Sequence, residues 1–233
     1  MRFRIEEKIF ERFEGLSIGL VHAWGMENRG ISDEILALIR EKEEEIRRTL
    51  SLEALPEQPK IDVWRRAYSS FGANPKKYKS SVESLYSMIL SGRSLRPINK
   101  VVDIYNYISL KHMVPVGGDD KDKVRGDIVL RFATGNEKFV PLNSQAEEVA
   151  REGEVVYMDD EEVLCRRWNW RESEKTKMTE ETRSVILVVE GLPPLRQEDI
   201  QEITRDLSTL LDKHCGGKQE TFLLDRTKRE IEF

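Results

Sequence analysis

Val101-Val102-Asp103-Ile104-Tyr105-Asn106-Tyr107-Ile108-Ser109-Leu110-Lys111-His112 reads as one helix, and Ile128-Val129-Leu130-Arg131-Phe132 reads as a strand. Between them the apolar period changes from helical spacing to two. Asn99 stands where a cap for the helix is needed. Pro115-Val116-Gly117-Gly118-Asp119-Asp120 reads as the Pro/Gly-rich, acid-bearing loop in which the helix ends. That change of period decides the fold class, because helical patterns cluster before it and strand patterns after it.

Upstream, Leu16 to Ala23 alternates like a strand. Ser32 caps a helix with Asp33 and Glu34 in its first turn, Arg47 and Arg48 in its last, and Ile35, Leu38, Ile39 and Ile46 as its stripe. Ile61, Trp64, Tyr68 and Phe71 repeat at helical spacing up to Gly72. Ser80 and Glu83 have the capping-box spacing and open a further helix with Leu85, Met88 and Ile89 inward. Downstream, Glu154 to Met158 and Val163 to Trp170 read as a hairpin around Asp159-Asp160-Glu161-Glu162. Ser184 to Val189 reads as a strand buried on both faces. Ile200, Ile203, Leu207, Leu210 and Leu211 mark a helix, and Thr221 to Leu224 a last strand. Helices clustered in the first half and strands in the second predict an α+β fold.

The 233 residues suffice for one large core, and a 35% charged fraction predicts a heavily charged surface around it. The expectation is a single domain over residues 1–233. No apolar stretch approaches the roughly 20 residues of a membrane span. The start, Met1 to Lys8, lacks the pattern of a secretory signal. Cys165 and Cys215 share no motif, a usage that suits a reducing cytoplasm. A net charge of −5 argues against indiscriminate nucleic-acid binding but leaves room for local basic patches. Lys76, Lys77 and Lys79 form one cluster, and Arg166, Arg167, Arg171, Lys175 and Lys177 another. The plain alternative is solvated charge balanced by nearby acids.

Familiar catalytic signatures are missing. There is no HExxH, no CxxC pair and no phosphate-binding glycine loop, so neither a metal nor another cofactor is expected. His22, His112 and His214 are far apart, and no serine sits in a nucleophile elbow. Cys165 lies within a strand-like run, where a cysteine is more often a packing residue than a nucleophile.

Two of the segments above, Val101–His112 with Pro115–Asp120 and Cys165-Arg166-Arg167-Trp168-Asn169-Trp170-Arg171, join Asn74-Pro75-Lys76-Lys77-Tyr78 in resembling one known domain. It is the B3/B4 domain of the phenylalanyl-tRNA synthetase β subunit, and in particular the free-standing proteins built from that domain. The similarity runs from about Leu16 to Leu211 and is densest between Trp64 and Thr182. The resemblance implies a three-layer domain with mixed β-sheets and an activity that hydrolyses wrongly aminoacylated tRNA. The partner would be the acceptor end of tRNA, with no membrane involved, in the cytoplasm. An aminoacyl ester is activated by its own ammonium group and the neighbouring ribose hydroxyl, so a pocket that positions water needs no triad.

The resemblance also nominates residues. Asn106 matches the family's Asn-Tyr segment on the pocket helix, and asparagine is a poor mid-helix residue, so its amide is either kept for substrate or simply exposed beside Asp103. His112 either bonds the ester or its water or satisfies the last helical carbonyls. Asn106 and His112 are thus the candidate catalytic residues. Pro115, Gly117 and Asp119 would shape the amino-acid pocket, with Asp119 and Asp120 either holding the ammonium or ending a solvent loop. Arg166, Trp168 and Arg171 would meet the terminal adenosine and phosphates. On a continuous strand, Arg166, Trp168 and Trp170 share a face, suited either to stacking a base or to the core. The expected function is a trans-acting aminoacyl-tRNA deacylase. Its rivals are a noncatalytic module binding tRNA or an amino-acid-like ligand, and a hydrolase of small esters or amides.

Overall fold

The computed structural model describes residues 1–233. Its centre is β10 (Ser184–Gly191), buried along its whole length as the β-branched run requires. Val185, Leu187 and Val189 face a helical layer, while Ile186 and Val188 face a second sheet. Each such side chain contributes about 1.5–3 kcal/mol relative to exposure in water. With both faces apolar, alternation does not fix the register of this strand. Glu190 does, because a one-residue slip would turn its carboxyl into the helix-facing core.

Four antiparallel strands make the central sheet in the order β11 (Lys218–Leu224), β2 (Ser17–Trp24), β10, β3 (Val116–Asp120). On one side lie α2 (Asp33–Thr49), α4 (Ser81–Leu90), α5 (Lys100–His112) and α6 (Gln197–Cys215), joined to it in one apolar core. The side chains of Ser32 and Asn99 accept from the backbone N–H groups of Ile35 and Val102, so α2 and α5 start where the cap residues dictate. On the other side lies a six-stranded sheet: β12 (Glu230–Glu232), β1 (Arg2–Ile5), β4 (Ile128–Phe132), β7 (Val155–Met158), β8 (Val163–Arg166), β9 (Arg171–Glu172). It is mixed, since β1 and β4 run parallel and the other pairs antiparallel. α1 (Glu7–Arg12) and α3 (Pro59–Ser70) share its core through Ile9, Phe10, Trp64 and Tyr68. A short ribbon, β5 (Lys138–Phe139) and β6 (Glu148–Val149), completes the strands. The result is an α+β fold with helices on one sheet and that sheet on another.

Several local expectations change. Val116–Asp120 is an edge strand and not a loop, because β10 offers it a full antiparallel partner. Gly118 makes that approach possible, since any side chain there would collide with the Ile186 carbonyl oxygen. The strand expected to run to Trp170 stops at Arg166. Arg167 and Trp168 take left-handed conformations, with φ of 50° and 65°. The backbone N–H of Trp168 donates to the Val155 carbonyl oxygen at 2.6 Å, and the indole ring packs against Phe13 and Trp64. Core burial of one indole thus outweighs backbone preference, and Arg166, Trp168 and Trp170 do not share a strand face. The last strand starts at Lys218, and β12 follows it to pair with β1. In α2 Leu38 is only half-buried, whereas Glu43 is buried and accepts from Arg40 and the Leu95 N–H.

Candidate active site between two sheet edges

β3 and β9 are each the last strand of their sheet, and a small cavity lies between the sheets beside them. It has about 30 Å³ of room for water centres, enough for one or two waters. β3 supplies Gly117 and Asp119, which alternation places on one face, and β10 supplies Val188 and Glu190. From the facing sheet come Tyr157, Cys165 and Glu172. Gly117 is a space requirement, since a Cβ there would stand 2.7 Å from a Glu172 carboxyl oxygen.

Asp119, Glu172 and Glu190 therefore gather around one enclosed space with no lysine or arginine in its lining. Burial pushes the Glu190 carboxyl up to about 7, against hydrogen bonds that favour its charged form. Those bonds come from the Tyr157 hydroxyl at 2.5 Å and the Asn169 amide at 2.6 Å. Asn169 is itself held by the Tyr68 hydroxyl, 2.9 Å from its side-chain oxygen. Burial, followed by the neighbouring Asp119 charge, pushes Glu172 up to about 8, while the Gly118 N–H opposes the shift. Asp119 rises to about 7, chiefly through burial, although the Thr176 hydroxyl donates to it. Three acids poised across neutrality in one cavity can hold a cation or pass a proton near pH 7. No group of three or more His, Cys, Asp or Glu side chains has the arrangement of a metal site.

A larger hollow of about 830 Å³ lies between Arg4–Glu11 and Thr227–Glu230. It is open and lined by exposed charges of both signs, so it lacks the desolvation that tunes the cavity acids. Cys165 lines the small cavity, yet burial pushes its thiol well up. No histidine bonds it: His112 faces Asp206 at 2.8 Å, and His214 faces Ser32 at 3.1 Å. The thiol has no histidine to activate it.

Gly117, Asp119 and Trp168 meet in the cavity lining. Pro115 lies just outside, where its carbonyl oxygen accepts from the Glu190 N–H at 3.1 Å. Asn106 and His112 are not part of the lining. Tyr105 of α5 is also outside the lining, and its phenol is raised well up by burial and then by the Glu172 charge. Arg166 points to the opposite face of β8. There it is 5% exposed and bonds Glu154 at 2.7 Å and Glu148 at 2.6 Å. Arg171 is exposed on that same face of β9, with one guanidinium nitrogen 3.4 Å from the Leu142 carbonyl oxygen. Sequence reading missed Glu172, Glu190 and Tyr157. Glu190 did leave a trace, as the one acid ending an otherwise apolar strand.

The cavity lining falls almost wholly within residues 63–216, the span that matches the family model for the B3/4 domain. The chain belongs to the B3/4 domain family. Among curated relatives, this B3/4 protein is 28% identical over 189 residues to the phenylalanine–tRNA ligase β subunit of Fusobacterium nucleatum, covering 78% of this chain and 23% of that one. It is 28% identical over 165 residues to the corresponding subunit of Streptococcus thermophilus, covering 68% and 20%. A shorter match of 73 residues to the Corynebacterium glutamicum subunit reaches 40%, covering 31% and 8%. The chain thus spans about a fifth to a quarter of the length of the first two. An N-terminal fragment of the phenylalanyl-tRNA synthetase β subunit from Pyrococcus horikoshii aligns at TM-score 0.47 and 15% identity, covering 96% of this chain and 54% of the fragment. No helix of the B3/4 protein is long and apolar enough to cross a membrane.

Proposed function

We propose that this B3/4 protein hydrolyses the ester between an amino acid and the 3′ end of tRNA, acting in trans on tRNA charged elsewhere. The observation that carries the reading is the carboxyl cavity of Asp119, Glu172 and Glu190, in a chain whose curated relatives are phenylalanine–tRNA ligase β subunits. We take its site of action to be the cytoplasm.

Each part of the cavity has a task in that reaction. Asp119 and Glu172 take the substrate's α-ammonium group, whose charge favours loss of their protons. Glu190, fixed by Tyr157 and Asn169, accepts a proton from the attacking water. The water adds to the ester carbonyl, the acyl C–O bond to the ribose breaks, and Glu190 passes its proton to the ribose oxygen, which releases the free amino acid and tRNA with its hydroxyl restored. Gly117 leaves room on the β3 side for the Glu172 carboxyl. The Tyr68–Asn169 bond keeps the amide turned toward Glu190 and acts only through it.

A noncatalytic tRNA- or amino-acid-binding module is the second reading. It is favoured by the bonds that Glu190 and Asp119 already receive from protein donors. A panel of mischarged tRNAs incubated with purified protein separates the two. Hydrolysis of at least one ester above the spontaneous rate, lost in Glu190→Gln, is the expected result. Tight binding with no hydrolysis of any member would leave the module.

A further inference from the structure

On the side away from the cavity the central sheet ends in β11, whose seven residues pair with β2 alone. The other sheet edges are covered or short. On β3 the Asp120 N–H donates to the Thr176 carbonyl oxygen, and on β9 the Glu172 carbonyl oxygen accepts from the Leu142 N–H. β12 has three residues, two of them exposed acids, which guards an edge against pairing. No backbone hydrogen bond reaches the outer side of β11, which keeps an unbroken register with β2 and contains no proline. About half of its N–H and C=O groups therefore point outward to no protein partner, a template for another strand.

The helix over this strand leaves a matching flank. Ile200, Ile203, Leu207 and Leu211 of α6 face the core, and Asp206 turns toward α5, where it meets Lys111 and His112. At about 100° per residue, Gln201, Arg205, Ser208 and Asp212 lie on the opposite flank. That flank stands over β11, because the Gln219 side-chain amide donates to the Ser208 carbonyl oxygen at 2.9 Å. Arg205 and Asp212 sit one on each side of Ser208. On the strand, Phe222 packs with the core between the sheets and Leu223 with the helical core. Alternation therefore turns Lys218 and Glu220 away from α6, one on each side of Gln219. All four charged residues are exposed. The ion pairs of α6 use Asp199, Asp206, Lys213 and His214 instead, so these four charges stand unmatched.

A plus and a minus placed evenly about one point are complementary to themselves after a half turn. An antiparallel copy of this edge, with its two-fold axis passing Gln219 and Ser208, sets Lys218 against Glu220 and Arg205 against Asp212, each twice. A peptide of one charge sign would satisfy only half of either layer, whereas a second copy supplies both signs in the right order. We propose that β11 and α6 form the contact between two copies of this chain, β11 pairing antiparallel with its own equivalent. The two four-stranded sheets then continue as one, with helix beside helix above the joint. β3 lies at the far end of each half, so both cavities stay clear of the contact. The inference is independent of the reaction proposed above.

Sedimentation equilibrium of the full chain, from roughly 1 to 100 μM, tests it. The wild type should show the mass of two chains at the upper end and dissociate on dilution. Lys218→Glu combined with Arg205→Glu sets like charges against each other at every crossing and should weaken the dimer roughly a hundredfold. Adding Glu220→Lys and Asp212→Arg restores opposite signs and should bring the affinity back to within about tenfold of wild type. If a reversed variant melts early, Lys218→Gln and Arg205→Gln decide, each with a loss of about three- to tenfold. A monomer throughout the range, a dimer indifferent to these changes, or a reversal that the exchange fails to repair would overturn the proposal.

Discussion

The two faces of the β8–β9 pair carry two buried charge clusters of opposite design. On the outer face Arg166 and Arg167 meet Glu154 and Glu148 in short ion pairs. On the inner face Glu172 meets Asp119 and Glu190 with no cation in the lining. The first cluster is matched, each guanidinium facing a carboxylate at hydrogen-bond distance. The second is unmatched, and burial leaves its carboxyls near neutrality. Matched burial holds a structure, while unmatched burial stores a preference for a cationic or proton-donating ligand. The same short segment makes both, because alternation sends Cys165 and Glu172 one way and Arg166 and Arg171 the other.

The largest expected effect on stability lies in the matched cluster. Glu154→Ala leaves two buried guanidiniums without their shared partner and should cost about 3–5 kcal/mol, read by urea unfolding. A cost below about 1 kcal/mol would mean that water replaces the carboxylate and that the faces are less different than they look.

The unmatched cluster should behave in the opposite sense. For each of its acids the folded pKa is raised above the ordinary carboxylate value, so the stability it contributes is present at low pH. That contribution is lost as pH rises through about 7 to 8. The variant Asp119→Asn/Glu172→Gln/Glu190→Gln mimics the protonated forms. Relative to wild type it should gain stability steadily as pH rises from 5 to 8 and level off above that, measured as a difference in unfolding free energy. A gap that stays constant over that range would mean that these carboxyls titrate normally.

The smallest effect is expected on α5. Asn106 lies outside the cavity lining, and alanine is the better helix former, so Asn106→Ala should change stability by no more than about 0.5 kcal/mol. Deacylation should stay within about tenfold of wild type. A loss of roughly a hundredfold at normal melting would bring Asn106 to the substrate and make α5 a third wall of the site.

Much of the frame was legible in the sequence because it depends on local signals. Ser32 and Asn99 announce their helices, and the run from Ser184 to Val189 could only be a strand buried on both faces. Gly117, Asp119 and Trp168, nominated through motif resemblance, fall in the cavity lining, Trp168 as a fully buried core residue and not an open stacking face. The acids that complete the cavity were not nominated. Glu172 and Glu190 come from strands of different sheets, and only the stacking of those sheets makes them neighbours. β3 was hidden because Val116-Gly117-Gly118-Asp119-Asp120 has little strand propensity of its own and is a strand only where β10 lends it hydrogen bonds. The turn at Arg167 and Trp168 was hidden for a related reason. Nothing local announces a left-handed tryptophan, and the packing of its ring against Phe13 and Trp64 decides it.

The central claim is that the unmatched acids are the reacting groups, with Glu190 as the base. The most direct measurement is the rate of ester hydrolysis on a mischarged tRNA as a function of pH, for wild type and Glu190→Gln, each corrected for spontaneous hydrolysis. The account predicts a wild-type rate that rises through about pH 7 as Glu190 loses its proton and then levels off. It predicts a variant rate lower by roughly a hundred- to ten-thousandfold with that rise abolished, while tRNA binding is kept. A variant with the wild-type rate and the same pH profile would contradict it.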